Sequence, residues 1–92
     1  MEKISQNLLE SLINNGYEKT ETLPTVEEVI DWLKKTHNIE INIKFIPHTW
    51  MYTIIDISKE KRFNEYTLYI FKTFYDAAFN AFDYIFNNIL IK

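Results

Sequence analysis

The C-terminal twenty residues have the spacing of a helix that is apolar around most of its circumference. At about 100° per residue, the polar residues other than Asn88, which is a late interruption, fall into one strip roughly 80° wide. These residues are Asp76, Asn80, Asp83 and Asn87. A surface helix needs an apolar stripe of only a little over about 100°, so this helix has to be covered on more than one side. In a chain of 92 residues, we expect the other elements to cover one side and a partner chain another.

Two shorter amphipathic helices are predicted in the N-terminal third of the chain. The first runs from about residue 3 to residue 15, and Gly16 follows it as a left-handed C-cap. Residues 17–24 are mostly polar and predict a connector. Thr25 and Glu28 then match a capping box that opens the second helix. Its apolar residues recur at i, i+3, i+4 and i+7: Val26, Val29, Ile30 and Leu33.

The middle of the chain predicts an antiparallel sheet. Residues 39–46 alternate strictly, with Ile39, Ile41, Ile43 and Phe45 on the apolar face. Residues 50–57 are apolar on both faces, which is typical of a central strand or of a sheet that is covered on both faces. The three residues 47–49 are too few for a crossover, so the two strands must be antiparallel. After a charged turn over 58–62, residues 63–71 predict a third strand. Their aromatic content also fits an early start of the last helix. Thr73 is predicted to cap that helix.

This order of elements predicts an α+β fold in two layers: helix, helix, three-stranded antiparallel meander, helix (ααβββα). The length is that of one domain, 1–92. Within it we distinguish an N-terminal helix with its connector, 1–22, from a core over 23–92.

Composition and charge argue against several classes of function. The formal net charge is −3, from 10 Lys and Arg against 13 Asp and Glu, so no long-range attraction draws the chain to nucleic acid or to an anionic membrane. The absence of cysteine excludes disulfides and thiolate metal sites. The first residues lack the apolar segment of a secretion signal, and no apolar run approaches the roughly 18 residues of a membrane span. We therefore expect a cytoplasmic protein that does not bind membranes.

Residues that could perform catalysis are few. Neither His37 nor His48 has a Cys or carboxylate at metal-ligand spacing, and a single glycine rules out a phosphate-binding loop. Asp56 shares a face of the central strand with Trp50 and Tyr52; we expect it to lie hydrated at the strand end, the alternative being an acid in a cleft. The prediction is a protein that is not an enzyme, with no catalytic, cofactor-binding or metal-binding residue and no cofactor.

The order of elements is like that of one class of nucleic-acid-binding domain. Helix, three strands, helix is also the order in double-stranded-RNA-binding domains, where lysines at the start of the last helix meet phosphates. Here that position carries Asp76, preceded only by Lys72, while a small basic turn contains Lys59, Lys61 and Arg62. The sequence therefore does not favour binding to RNA or DNA.

Four segments carry a resemblance: Trp32-Leu33, His37-Asn38-Ile39-Glu40-Ile41, Trp50-Met51-Tyr52 and Phe74-Tyr75-Asp76-Ala77-Ala78. They resemble short uncharacterised proteins of gut bacteria and their phages, over roughly residues 23–90. The resemblance implies a helix, a small sheet and a helix that begins with a Tyr-acidic-Ala motif. This chain departs from the pattern at Phe79, Phe82 and Phe86, where charged residues are expected. The group has no assigned activity, so the resemblance implies no site residue.

The functional expectation is a small protein-protein interaction module that forms a homo-oligomer, with a dimer favoured. Its interface candidates are the aromatic and apolar residues of the last helix, since aromatic side chains commonly anchor interfaces. They are Tyr75, Phe79, Phe82, Phe86 and Leu90. Two alternatives remain open: an accessory protein of a phage or mobile element that binds a host protein or nucleic acid, and a small enzyme that uses Asp56, His37 or His48.

Overall fold

Helix α1 spans Gln6–Asn14, and local hydrogen bonds account for both of its ends. The computed structural model describes residues 3–18, 21–63 and 71–90. Ser5 Oγ accepts the Leu8 N–H at 3.2 Å, which caps the helix N-terminus. Gly16 has a φ of 100°, and the N–H groups of Gly16 and Tyr17 donate to the carbonyls of Ile13 and Leu12. This is a Schellman motif, and it confirms the predicted glycine C-cap.

Helix α2 spans Val26–His37 and begins with the predicted capping box. Thr25 Oγ1 accepts the Glu28 N–H, and Glu28 Oε1 accepts the Thr25 N–H, both at 3.2 Å. The connections at its two ends align α1 with α2. The Ile4 N–H donates to the Pro24 carbonyl, and His37 Nε2 lies 2.9 Å from the Asn15 carbonyl oxygen. Because the N-terminal ends of α1 and α2 are joined to each other, and so are their C-terminal ends, the two helices run parallel.

Three antiparallel strands follow: β1 (Ile39–Ile46), β2 (Thr49–Asp56) and β3 (Lys61–Phe63), in the order β1-β2-β3. The central position predicted for β2 is confirmed. Ile46 pairs with Thr49, so the turn is one residue shorter than predicted and consists of Pro47 and His48. Proline supplies the fixed φ of the first turn position, and His48 has a φ of 71° at the second, as in a type II turn.

The third strand differs from the prediction at its beginning. The turn after β2 covers residues 57–60, and Lys61 and Arg62 belong to β3, where Arg62 pairs with Ile55. They were expected in the charged turn. The predicted strand residues 64–70 lie outside the described part of the chain. Phe71 pairs with Trp50, with N···O distances of 2.9 and 3.2 Å.

Helix α3 spans Phe74–Tyr84 and continues as a π-helical turn over Ile85–Ile89. Thr73 is its N-cap, as predicted, and Thr73 Oγ1 accepts the Asp76 N–H at 3.0 Å. The change of winding has a local cause. Asn88 Nδ2 donates to the Tyr84 carbonyl at 3.1 Å, so a side-chain amide takes the acceptor that the Asn88 backbone N–H would use in an α-helix. The Leu90 N–H then donates to Ile85, five residues back.

The helices lie on one face of the sheet and form the second layer. Ile39 and Ile41 of β1 and Tyr52 and Ile54 of β2 are buried in one core with residues of all three helices. The core residues from the helices include Leu9, Leu12, Val29, Leu33, Ala78, Ala81 and Phe82. On the other face, Asn42 and Lys44 are exposed. The fold is therefore the predicted two-layer α+β arrangement in the order ααβββα.

Candidate interaction surface

The free end of the β1–β2 hairpin carries the most exposed large apolar side chain of the described residues. Phe45 is 61% exposed and Ile46 is 42% exposed. The ring centroid of Phe45 lies 5.0 Å from that of half-buried Trp50, and Trp50 in turn meets Phe74 at 5.8 Å. We call Phe45 and Trp50, which share the helix-covered face of the sheet, the hairpin patch; Ile46 lies on the other face, with Asn42 and Lys44. The patch protrudes because β1 continues past the point at which the helices cover the sheet: Ile39 and Ile41 are buried, Ile43 is half-buried, and Phe45 is exposed.

The hairpin patch adjoins an open edge of the sheet. Antiparallel pairs alternate between hydrogen-bonded and non-bonded. The Ile57 N–H donates to the Asn38 carbonyl at 2.9 Å, so Asn38 and Ile57 form a hydrogen-bonded pair. In the register of β1 and β2, the backbone N–H and C=O groups of Ile41, Ile43 and Phe45 therefore turn away from β2. Among the described residues, no strand lies on that side of β1. Such an edge is a template for another strand.

A groove of about 360 Å³ runs between this edge and helix α2. Its apolar lining comes from Ile30, Ile41 and Phe74, and its charged lining from Glu27, Asp31, Lys34 and Glu40. We call it the edge groove. Grooves between a helix and an edge strand suit an added strand, because the edge binds the backbone and the groove receives alternate side chains.

The electrostatics of the edge groove are acidic but partly compensated. Lys34 Nζ lies 3.4 Å from Glu40 Oε1, and Lys35 Nζ lies 2.9 Å from Asp31 Oδ2. Both pairs are exposed, and exposed ion pairs contribute about 0–1 kcal/mol. The pair between Lys34 and Glu40 is therefore too weak to prevent Glu40 from facing a second cation.

The structure divides the five interface candidates of the last helix into two groups. Phe82 is fully buried and belongs to the core of the chain itself, so it has no surface left for a partner. The other four, Tyr75, Phe79, Phe86 and Leu90, are half-buried. Phe79 and Phe86 line two adjoining grooves against α1, of about 380 and 300 Å³, which share Ser5, Leu8 and Asp83.

The chain covers more of α3 than the sequence suggests. Phe74 packs against Trp50 of β2, and Tyr84 packs against Phe63 of β3. On another side, the Tyr75 hydroxyl donates to Glu27 Oε2 of α2 at 3.3 Å. In α3 and the π-helical turn, every exposed residue is polar: Asp76, Asn80, Asp83, Asn87 and Asn88. The predicted polar strip is thus confirmed, while the most exposed apolar surface lies elsewhere, on the hairpin.

The residues considered for catalysis do not converge. His48 lies in the turn before β2 and Asp56 is the last residue of β2, so the whole length of this strand, seven residue steps or about 23 Å, separates them. His37 is bound to the Asn15 carbonyl and meets the Trp32 ring edge-on at 4.9 Å. Asp56 was expected to be hydrated, and this is wrong: it is 6% exposed. Its Oδ1 accepts the Lys59 N–H at 3.3 Å, so the carboxylate closes the turn after β2.

A metal site has no support among the described residues, because they contain no group of three or more His, Cys, Asp or Glu side chains that could hold a metal ion. Lys61 Nζ lies 5.0 Å from the Phe63 ring centroid, and the exposed basic residues near it are diluted by Glu60. No helix in the described ranges is long and apolar enough to cross a membrane.

Comparison of the chain with family models, with curated proteins and with solved structures found no match.

Sequence reasoning missed the hairpin patch for an identifiable reason. Phe45 is in phase with Ile39 and Ile41, so alternation assigned it to the buried face. Alternation reports which face a residue occupies and does not report how far a covering helix extends. The available signal was the position of Phe45 two residues before a tight turn, where a strand leaves the core.

Proposed function

We propose that this chain is a small protein-interaction module that forms a homodimer through the hairpin patch and the open edge of β1. The observation that carries the proposal is the exposure of Phe45, an aromatic residue of the edge strand β1 that is 61% exposed. Large aromatic side chains at the centre of a contact are typical interface anchors. A second copy is the simplest occupant, because a two-fold dimer brings the same surface together twice.

Two further features support this proposal. Edge strands of monomeric proteins are usually short, bulged or covered, whereas β1 is eight residues long and pairs with β2 without a bulge along its whole length. In addition, a chain of 92 residues buries only a little over about 60% of its unfolded surface when it folds alone. Pairing at the edge would bury Phe45 and satisfy backbone groups at the same time.

The test compares two equally simple substitutions. Phe45→Asp places a charge in the hairpin patch, and we expect it to raise the Kd of the dimer by about 30-fold or more, as for loss of an interface anchor. Ile57→Asp is the matched control, because Ile57 is also exposed, at 44%, but lies in the turn at the other end of the sheet. Sedimentation equilibrium at micromolar concentrations measures both.

Two results would overturn the proposal. One is a wild-type chain that remains monomeric throughout the micromolar range. The other is a dimer that Ile57→Asp weakens as much as Phe45→Asp does. A dimer that is instead weakened by Phe86→Asp would assign the contact to the last helix.

A further inference from the structure

We infer that two copies pair antiparallel through β1 with Asn42 opposite Asn42 of the second copy, which joins the two sheets into one sheet of six strands. This inference rests on the proposed function and adds the register of the contact. It follows from three constraints: the direction of the added strand, the backbone groups that are free, and the charges that meet.

Symmetry sets the direction. When the same edge of two copies meets about a two-fold axis, the two edge strands run antiparallel. If the axis is perpendicular to the sheet, both sets of helices stay on one face. The edge grooves of the two copies then lie side by side, and each offers unfilled space next to the new strand pair.

Backbone geometry limits the registers. The N–H and C=O groups of β1 that turn away from β2 belong to Ile39, Ile41, Ile43 and Phe45, as the bond from the Ile57 N–H to the Asn38 carbonyl requires. A pairing that forms hydrogen bonds with these backbone groups must place odd-numbered residues of one copy opposite odd-numbered residues of the other. The two-fold axis can therefore pass through Glu40, Ile41, Asn42, Ile43 or Lys44, and each choice produces a different set of side-chain neighbours.

Charge selects among these registers. With the axis at Asn42, Glu40 lies opposite Lys44 of the second copy, and this pair forms twice. Phe45 then lies beside Ile39 of the second copy and leaves water. With the axis at Lys44 two ammonium groups face each other, and with the axis at Glu40 two carboxylates do; both arrangements are destabilising. With the axis at Ile41 or Ile43, neither Glu40 nor Lys44 meets an opposite charge.

Cysteine cross-linking tests the register directly, because the chain contains no cysteine of its own. Asn42 facing itself is a non-bonded pair, where Cα atoms are about 4.5 Å apart, within the range of a disulfide. We expect Asn42→Cys to form a covalent dimer with oxidised glutathione, which takes up the two electrons and two protons of the thiols. Glu40→Cys should not, because its copy lies four residues away, about 13 Å along the strand.

The outcomes separate the register from the dimer itself. Suppose that the wild type is a dimer by sedimentation, and that Ile43→Cys forms the cross-link while Asn42→Cys does not. This result would overturn the register and leave the proposed function standing. A wild-type monomer would overturn both. Because Ile43 is half-buried, each cysteine variant is first checked for the far-UV circular dichroism of the wild type.

Charge exchange gives a second test that needs no cross-link. Glu40→Lys and Lys44→Glu each create two like-charge pairs per dimer, and we expect each to raise the dimer Kd about tenfold at low salt. The double variant Glu40→Lys/Lys44→Glu restores opposite charges and should recover most of the affinity. If the loss of binding free energy in the double variant equals the sum of the losses in the two single variants, Glu40 and Lys44 do not face each other.

Discussion

Tyr17 shows how one side chain connects the first helix with the second. Its N–H completes the Schellman motif of α1, and its ring meets the Trp32 ring of α2 edge-on at 5.3 Å. Burial, and secondarily the negative charge of Glu28, raises the pKa of the Tyr17 hydroxyl above its ordinary value of 10.0. The fold therefore favours the neutral phenol over the phenolate.

This pKa shift predicts a loss of stability in alkali. The unfolded chain releases the Tyr17 proton near pH 10.0, whereas the folded chain releases it at a higher pH. The contribution of Tyr17 is thus complete below pH 10 and is lost as the pH rises towards the folded pKa. We expect the free energy of unfolding, measured in urea, to fall less between pH 9 and pH 11 in Tyr17→Phe than in the wild type.

Glu28→Gln provides the control for this prediction. Because burial is the larger cause of the shift and Glu28 the smaller, this variant should keep part of the alkaline loss. Equal losses in the wild type and Tyr17→Phe would show that Tyr17 is not responsible.

The final helix illustrates the difference between apolar pattern and apolar exposure. Its helical spacing separates the polar strip correctly from the other sides. It does not distinguish Phe82, which is fully buried, from Phe86, which is half-buried. The difference arises because Phe82 faces the sheet and the helices together, while Phe86 faces the groove beside α1.

These two phenylalanines provide a matched comparison within one segment. We expect Phe82→Ala to lower the free energy of unfolding by about 3–5 kcal/mol, because it leaves a cavity in the core. Phe86→Ala should cost roughly 1–2 kcal/mol, since only part of its side chain is removed from water. Urea unfolding of the two variants measures the difference. Equal losses would mean that Phe86 is a core residue too.

The sheet as a whole is asymmetric. One face carries all three helices, and one edge, that of β1, has no neighbouring strand among the described residues. The other side of β2 is paired with β3 and with Phe71. In the proposed dimer this edge is buried against the second copy, so the stability of each copy includes the contact with its partner.

Thermal unfolding tests this coupling. Because association favours the folded state by mass action, the Tm of the wild type should rise by roughly several degrees when the protein concentration is raised about a hundredfold. The Tm of Phe45→Asp should not depend on concentration over the same range. A wild-type Tm that is independent of concentration would contradict a dimer whose folding and association are coupled.

Much of the architecture can be predicted from local signals. The capping box at Thr25, the glycine after α1, the alternation of β1 and the short turn after it each depend on hydrogen bonds or side-chain periods within a few residues. They correctly gave the order ααβββα. The candidate surface could not be predicted in this way, because whether Phe45 is exposed depends on residues far away in sequence.

Local chemistry therefore determines which elements this chain forms and which face each side chain occupies, since backbone hydrogen bonds and side-chain direction repeat over a few residues. Tertiary packing alone decides which apolar residues are covered. It buries Phe82, encloses Asp56 at a turn, and leaves Phe45 in water at an open edge. The physical reason is that burial is a property of neighbouring elements and of where each of them ends.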